Sequence, residues 1–192
     1  MRRLFVLLCT ALVASCSTPP QKEIDHAQGA LDSARAAGAE QYAAETYRAA
    51  SSLLQQSHDA VAQRDYRLAL AHALDASERA QAAAKEAADG KARARGDGER
   101  AAAVLDAGLK ELLARVKAAE AARLPAREVR PARDLARTAE AALQETRTML
   151  SVGNYLAAGE AIKGQDDAVR GQIQRLDEAL AAKSKSPQRR RR

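Results

Sequence analysis

Alanine constrains this chain more than any other residue does. The sequence contains 48 alanines among 192 residues, and after Pro20 no proline occurs before Pro125. Alanine is the best helix former, whereas proline breaks a helix interior. No alternation of Val, Ile and Thr indicates strands. The sequence therefore predicts an all-α fold.

Apolar residues recur at spacings of three and four, which is typical of helices with one buried face. One stripe precedes the polar stretch 63–65 and another follows it, and Asp65 has the position of a helix N-cap. This pattern predicts a helical hairpin. The two stripes comprise Tyr42, Thr46, Tyr47, Ala50, Leu53, Leu54, Ala60 and Val61, and then Tyr66, Ala69, Leu70, Ala73, Ser77 and Ala80.

The hairpin recurs when the sequence is aligned with itself at an offset of 89 residues. Tyr66 then aligns with Tyr155, and Asp65 aligns with Asn154. Both copies keep the turn, a capping residue and a tyrosine just inside the second helix. Because most stripe residues are alanine, we expect Tyr66 and Tyr155 to be equivalent buried anchors.

The repeat predicts two related units of three helices each, with a leading helix before each hairpin. The leading helices are predicted at 22–37 and 99–123. The stretch 90–98 is rich in glycine and charge and is typical of a linker. A long helix through that stretch is the alternative, and it would join the units into one rod. The predicted segments are 1–15, 16–21, 22–89, 90–98, 99–182 and 183–192.

The first segment, 1–15, has two arginines, a short apolar stretch and small residues at its end, which is the pattern of a secretory signal peptide. Val13-Ala14-Ser15-Cys16 resembles the lipobox of bacterial lipoproteins. The resemblance implies cleavage between Ser15 and Cys16, lipid on the Cys16 thiol, and membrane attachment through that lipid. Ser17, rather than Asp, after the lipidated residue favours the periplasmic face of the outer membrane over the inner membrane.

Charge is unevenly distributed along the chain. The formal net charge is +6. Without the two arginines of the signal peptide and the six basic residues of the tail, residues 17–182 carry about −2. The tail 183–192 has nothing apolar to bury and is predicted to be disordered, like the tether 16–21.

A second resemblance rests on Tyr42-Ala43-Ala44-Glu45, Arg64-Asp65-Tyr66 and the spaced alanines 69, 73, 76 and 80. They resemble the Tyr-Ala-Pro-x-Glu-Leu and Gly-Asp-Tyr motifs of small alanine-rich envelope lipoproteins, which carry a tetratricopeptide-like helical hairpin of unknown function. Ala44, Thr46 and Arg64 depart from the motif, and Gly153-Asn154-Tyr155 is a looser copy. The resemblance implies a fold and no activity.

Residues suited to catalysis are scarce. Cys9 and Cys16 are the only cysteines, so the folded part has neither a disulfide nor a thiolate site. No phosphate-binding loop, His-Glu-x-x-His motif or nucleophile elbow occurs. We expect no enzymatic activity and no cofactor. His58 and His72, equally far from the turn, are weak candidates for a metal site, although solvated boundary positions are the commoner explanation.

Arginines form a second candidate site, for an anionic ligand. Five of them would share one face if their segment formed a single helix, which Pro131 makes doubtful. Glu128, Asp134 and Glu140 are interleaved, and this favours a salt-linked solvated face. The candidate anion-binding residues are Arg123, Arg127, Arg130, Arg133 and Arg137, together with Arg189, Arg190, Arg191 and Arg192 of the tail.

Three functional hypotheses follow. The first is a lipid-anchored, non-enzymatic helical adaptor or structural protein that binds a protein partner in the envelope or the cell wall. The second is an anion-binding module for lipopolysaccharide, phospholipid or cell-wall polymer. The third is a metal carrier that uses His58 and His72. Nucleic acid is not expected as a partner, because the signal peptide directs the chain out of the cytoplasm.

Overall fold

The fold was obtained as a computed structural model, which describes residues 18–185. The signal peptide, the cleavage site at Ser15 and Cys16, and residues 186–192 of the tail lie outside the described residues. Seven helices occupy the described part: α1 (Gln21–Ala37), α2 (Ala39–Tyr42), α3 (Ala44–Ala62), α4 (Tyr66–Ala121), α5 (Ala126–Ser151), α6 (Tyr155–Ile162) and α7 (Gln165–Lys185).

The all-α prediction is confirmed. About 90% of residues 18–185 are helical, and this part of the chain contains no strand. None of these helices is both long and apolar enough to span a membrane.

The chain divides into two compact units, with the boundary between Gly90 and Lys91. Unit 1 contains α1, α2, α3 and the first part of α4, whereas unit 2 contains the rest of α4 with α5, α6 and α7. Residues 90–98 are helical and lie within α4. Of the two alternatives for that stretch, the structure therefore has the continuous helix rather than a loop.

The core of unit 1 is built mainly from alanine. Ten of the fourteen buried residues in its main apolar cluster are alanines. On α4, six alanines at alternating spacings of four and three are each completely buried; we call them the alanine seam. This heptad spacing is that of helices packed side by side along their length. The alanine seam consists of Ala69, Ala73, Ala76, Ala80, Ala83 and Ala87.

Helices approach each other closely along this seam because the side chains between them are small. The buried Ser57 hydroxyl on α3 donates a hydrogen bond of 2.7 Å to the backbone carbonyl of Ala69 on α4. At the far end of unit 1, a Cβ added to Gly90 would lie 3.2 Å from the carbonyl oxygen of Tyr42. Glycine at position 90 thus allows α2 and α4 to touch.

Unit 2 has a core of larger side chains. Nine of the fourteen buried residues in its main apolar cluster are Leu, Ile or Val. Leu105 and Leu112 on α4 and Leu176 on α7 are almost completely inaccessible to solvent. The apolar spacing of the predicted leading helix, at Ala101, Leu105, Leu109, Leu112 and Val116, agrees at its four larger residues, which are all buried, whereas Ala101 is only partly buried.

The hairpin turns of the two units have the same backbone geometry at an offset of 89 residues. Arg64 and Gly153 both have positive φ, of 60° and 80°. The next residue in each turn, Asp65 or Asn154, donates its N–H to the carbonyl five residues earlier, at 2.9 Å. This pattern is the Schellman ending of a helix. The turn at Arg123 and Leu124, which the offset of 89 does not relate to either hairpin, has the same ending, so this geometry is not specific to the repeat.

Capping at the two turns differs from the prediction. The Asp65 carboxylate accepts a hydrogen bond from the Leu68 N–H at 3.0 Å, as expected of an N-cap. Asn154 makes no such bond with its side chain. Only the first turn has the predicted cap.

Helix breaks interrupt the units at different places, and the sequence patterns did not reveal them. In unit 1, Gly38 with φ +93° separates α1 from α2, and Ala43 with φ −144° separates Tyr42 from α3, although Tyr42 was predicted to lie in that helix. In unit 2, Lys163 and Gly164, with φ +76° at the glycine, split the third helix into α6 and α7. A positive φ is accessible to glycine without the Cβ clash of other residues.

The prediction that Tyr66 and Tyr155 are buried anchors was wrong. Tyr66 and Tyr155 open α4 and α6 as expected, but both are only half-buried. Tyr47 on α3 is the buried tyrosine.

The prediction that residues 183–192 are disordered was also wrong in its first part, because 183–185 belong to α7.

Candidate functional site: an arginine-rimmed groove

Four of the five arginines in the predicted face lie on one helix, α5, and Arg123 lies in the turn before it. α5 runs without interruption from Ala126 to Ser151 and includes Pro131. Proline removes one backbone N–H donor, and at position 131, near the start of the helix, this loss did not break it. The doubt that Pro131 raised about a continuous helix is therefore resolved in favour of the helix.

A groove of about 820 Å³ lies where α4 ends and α5 begins, and we call it the arginine groove. Its apolar lining includes Leu113, Leu124 and Val129, of which Leu113 is 44% exposed. Its charged lining brings together three of the predicted arginines with three carboxylates. These six residues are Arg130, Arg133, Arg137, Glu120, Asp134 and Glu140.

Ion pairs already occupy the arginines of the groove. The Arg133 guanidinium contacts the Glu120 carboxylate across the two helices, and Arg137 contacts Asp134. The Arg130 Nε lies 3.7 Å from an Asp134 carboxylate oxygen. With three cations and three carboxylates, the charged lining has no formal excess of positive charge. This neutrality weighs against an anionic polymer as the ligand of the groove.

The remaining predicted arginines do not contribute to the groove. Arg127 is 4.0 Å from the Glu128 carboxylate, with a side chain 85% exposed. Arg123 lies in the turn before α5 with φ +57°, and its carbonyl accepts a hydrogen bond from the Lys183 ammonium on α7. The tail arginines at 189–192 lie outside the described residues.

The candidate metal residues receive no geometric support. His58 is exposed on α3 and His72 is half-buried on α4. Within residues 18–185, no three side chains from His, Cys, Asp and Glu come together as a metal site would require. The third histidine, His26, lies with Nδ1 3.0 Å from the Ser77 hydroxyl, so it links α1 to α4.

A separate ion-pair cluster joins α4 and α5 in unit 2. The Asp106 carboxylate lies 2.6 Å from the Lys110 ammonium and 2.8 Å from the Arg147 guanidinium. Hydrogen bonds from Lys110 and then from Arg147 lower the pKa of Asp106 below its usual value. This cluster is structural, because all three residues are engaged with one another.

Exposed leucines and valines are the surface features that the sequence reasoning missed. Leu113 was overlooked because it follows Leu112, which the stripe already placed in the core. Only one residue of such a pair faces the core, since neighbours on a helix point about 100° apart. Leu68 and Leu74 were overlooked in the same way, whereas Leu70 was predicted in the apolar stripe and is instead 37% exposed, beside the fully buried Ala69.

Comparison with known proteins adds no constraint on this site. No protein-family model, curated protein or solved structure matches the chain.

Proposed function

We propose that this protein is a lipid-anchored, non-enzymatic envelope protein that acts as a helical adaptor and holds a partner protein in its arginine groove. The observation that carries the proposal is the combination of an exposed apolar lining and a charge-balanced rim. Amphipathic helices bind in such grooves through apolar anchors, while charges at the rim select the partner. An anionic polymer would have to compete with Glu120, Asp134 and Glu140 for the arginines.

The anchoring part of the proposal rests on the lipobox at Ser15 and Cys16 and on the resemblance to alanine-rich envelope lipoproteins. Two acyl signals on one residue give stable attachment, whereas a single chain gives marginal binding. We place the mature protein on the periplasmic face of the outer membrane. Cys16→Ala should abolish acyl labelling and release the protein or leave the precursor uncut. Continued palmitate labelling in that variant contradicts the anchoring.

Site-specific photo-crosslinking tests the adaptor role. A photoreactive amino acid replaces Leu113 in the full-length chain, expressed in cells that make the protein naturally. Val104 is a matched control, because it lies on α4 in the same unit, is 51% exposed and does not line the groove. We expect one discrete cross-linked protein from position 113 and none from position 104.

Charge substitution in the groove distinguishes a partner that is bound there from a protein that is cross-linked by random collision. Leu113→Glu adds a carboxylate to the apolar lining and should remove the cross-link formed from a photoreactive residue at position 124. Val104→Glu should leave it unchanged. Equal cross-linking from positions 104 and 113, or insensitivity to Leu113→Glu, contradicts the adaptor proposal.

A further inference from the structure

Large apolar side chains are exposed in unit 1 at one place only within residues 18–90. Leu68, Leu70 and Leu74 are 44%, 37% and 54% exposed, and all three lie near the start of α4. Single exposed leucines are ordinary, but a concentration of them at one end of a helix is not. Two of the three share one side of the helix.

Leu70 and Leu74 are four residues apart and therefore lie on the same flank of α4. The half-buried Tyr66 precedes Leu70 by four residues, and the exposed Arg67 lies beside Leu74 on the helical wheel. We call these four residues the tip flank. Leu68 points to the opposite side of the helix. The tip flank thus combines two leucines with a tyrosine and an arginine, a composition typical of helices at a membrane interface.

The chain enters unit 1 beside the tip flank, as the pairing of α1 with α4 shows. His26 contacts Ser77, a separation of 51 residues. Farther along, a groove is lined by Ala30 and Ser33 of α1 with Gln81 and Ala84 of α4. The two helices therefore run in the same direction with a nearly constant offset.

This offset places the start of α1 at the level of the tip flank. Gln21, the first residue of α1, comes level with His72, and Thr18 to Pro20 precede it. Ser77 and Gln81, which face α1, lie seven residues after Leu70 and Leu74 and hence on the same flank. At this offset Leu70 lies before the level at which α1 begins, whereas Leu74 comes level with Glu23 of α1 and is nevertheless 54% exposed.

Cys16 is covalently close to this surface. One residue, Ser17, separates it from Thr18, and the two Cα–Cα steps from Cys16 to Thr18 span at most about 7 Å. We propose that the tip flank docks onto the membrane surface, with Leu70, Leu74 and the Tyr66 ring in the interface and Arg67 at the headgroups. The inference rests on the proposed lipidation of Cys16. A tethered surface needs little affinity of its own, because the tether makes the second contact intramolecular.

Tryptophan fluorescence tests the docking directly, because the chain contains no tryptophan. Leu70→Trp, Leu74→Trp and Leu68→Trp are each made in the full-length lipoprotein. Each is reconstituted into vesicles of phosphatidylethanolamine and phosphatidylglycerol whose acyl chains are brominated near the headgroup. Leu68→Trp is the control, because it is similarly exposed on the same turn of α4 but on the opposite flank.

We expect blue-shifted emission and loss of most of the intensity for the Leu70→Trp and Leu74→Trp variants, and little change for Leu68→Trp. Adding Arg67→Glu to Leu70→Trp should weaken the quenching, and Arg67→Lys should preserve it. Circular dichroism of each variant checks that the helices are intact.

Three results overturn the inference. Equal quenching at positions 68 and 70 removes the flank specificity, and absence of quenching at 70 and 74 removes the membrane contact. A blue shift without bromine quenching indicates a second copy of the chain as the occupant. Mass spectrometry of the same samples, which detects lipid on Cys16, distinguishes failure of the proposed anchoring from failure of the proposed docking. Missing lipid on Cys16 refutes the anchoring and with it the docking, whereas lipidated protein without quenching refutes only the docking.

Discussion

Tyr47 is the one large aromatic side chain in the core of unit 1. It is 8% exposed, and the Arg35 guanidinium carbon lies 5.9 Å from the centre of its ring. Its neighbours in the core are mainly alanines, which bury little area each. A single ring therefore supplies a large share of the apolar surface that unit 1 removes from water.

Replacing tyrosines should separate this buried ring from the two half-buried ones. We expect Tyr47→Ala to lower the free energy of unfolding of unit 1 by about 3 to 5 kcal/mol, the range for deleting a buried large aromatic residue. Tyr66→Ala and Tyr155→Ala should each cost about 1 kcal/mol, the centre of the range for point substitutions. Urea denaturation of the three variants measures these costs. A Tyr66→Ala cost as large as that of Tyr47→Ala would contradict the burial described here.

Asp106 gives unit 2 a defined pH dependence. Its pKa is lowered mainly by hydrogen bonds from Lys110 and from Arg147. A carboxyl whose pKa is lower in the folded state stabilises the fold above its unfolded pKa, and this contribution is lost as the pH falls through the folded pKa. We expect Arg147→Gln to raise the pKa of Asp106 toward its usual value, as followed by carboxyl carbon NMR.

The control for this titration is Arg170→Gln. Arg170 contacts Asp166 and Asp167 on α7 and makes no contact with Asp106. If both arginine variants shift the pKa of Asp106 equally, the direct hydrogen bond is not the cause.

At the scale of the elements, glycines distinguish a helix break from a helix interior. Gly164 has φ +76° between α6 and α7, whereas Gly171 lies inside α7, and a Cβ added to either would meet nothing within 4 Å. Any effect of alanine at these positions therefore comes from the backbone rather than from packing.

Alanine should thus have opposite effects at the two glycines. Gly164→Ala forces a left-handed conformation on a residue with a Cβ and should destabilise unit 2 by about 1 to 2 kcal/mol. Gly171→Ala should stabilise it by about 0.5 to 1 kcal/mol, because glycine is unfavourable inside a helix. Thermal unfolding of both variants measures the difference. Stabilisation by Gly164→Ala would mean that α6 and α7 can join into one helix.

Helices and the hairpin turns could be predicted because their causes are local. The alanine content and the apolar spacing indicated the helices, and the turn at Arg64 and Asp65 could be located from its polar residues. The breaks at Ala43 and at Lys163–Gly164 could not, because alanine favours a helix and glycine occurs both at a break, as Gly164, and inside a helix, as Gly171.

The candidate site was predictable only in part. The spacing of Arg130, Arg133 and Arg137 correctly indicated a common face. The pairing of Arg133 with Glu120 depends on how α4 meets α5, which no local pattern contains. The exposed Leu113 likewise depends on which of two adjacent leucines faces the core.

At the scale of the whole molecule, the two units differ in how much apolar surface each core residue buries. Unit 1 relies on alanine, while unit 2 relies on Leu, Ile and Val. Burying one of these larger side chains contributes roughly 1.5 to 3 kcal/mol, several times the contribution of a methyl group. The stabilities of the two units need not be equal, since each has its own core.

We therefore expect unit 1 to unfold before unit 2. Native-state hydrogen exchange in low concentrations of urea should give a lower opening free energy for amides in the middle of α3 than for amides in the middle of α5. Buried reporters are Ala50 and Ala139, one in each unit. A single opening free energy for both reporters would show instead that the chain unfolds in one cooperative step.

The alanine seam also determines which inherited changes the gene for this protein can carry. A single-base change in an alanine codon yields valine, threonine, serine, proline, glycine, aspartate or glutamate, or is silent. At a fully buried seam position, valine adds bulk, serine and threonine add a hydroxyl, and aspartate and glutamate add a charge. Proline breaks the helix, and glycine removes the methyl group. Among randomly mutagenised genes that still encode a folded protein, the six seam codons should therefore carry mostly synonymous changes. Codons for exposed alanines on the same helix should tolerate these replacements except those to proline.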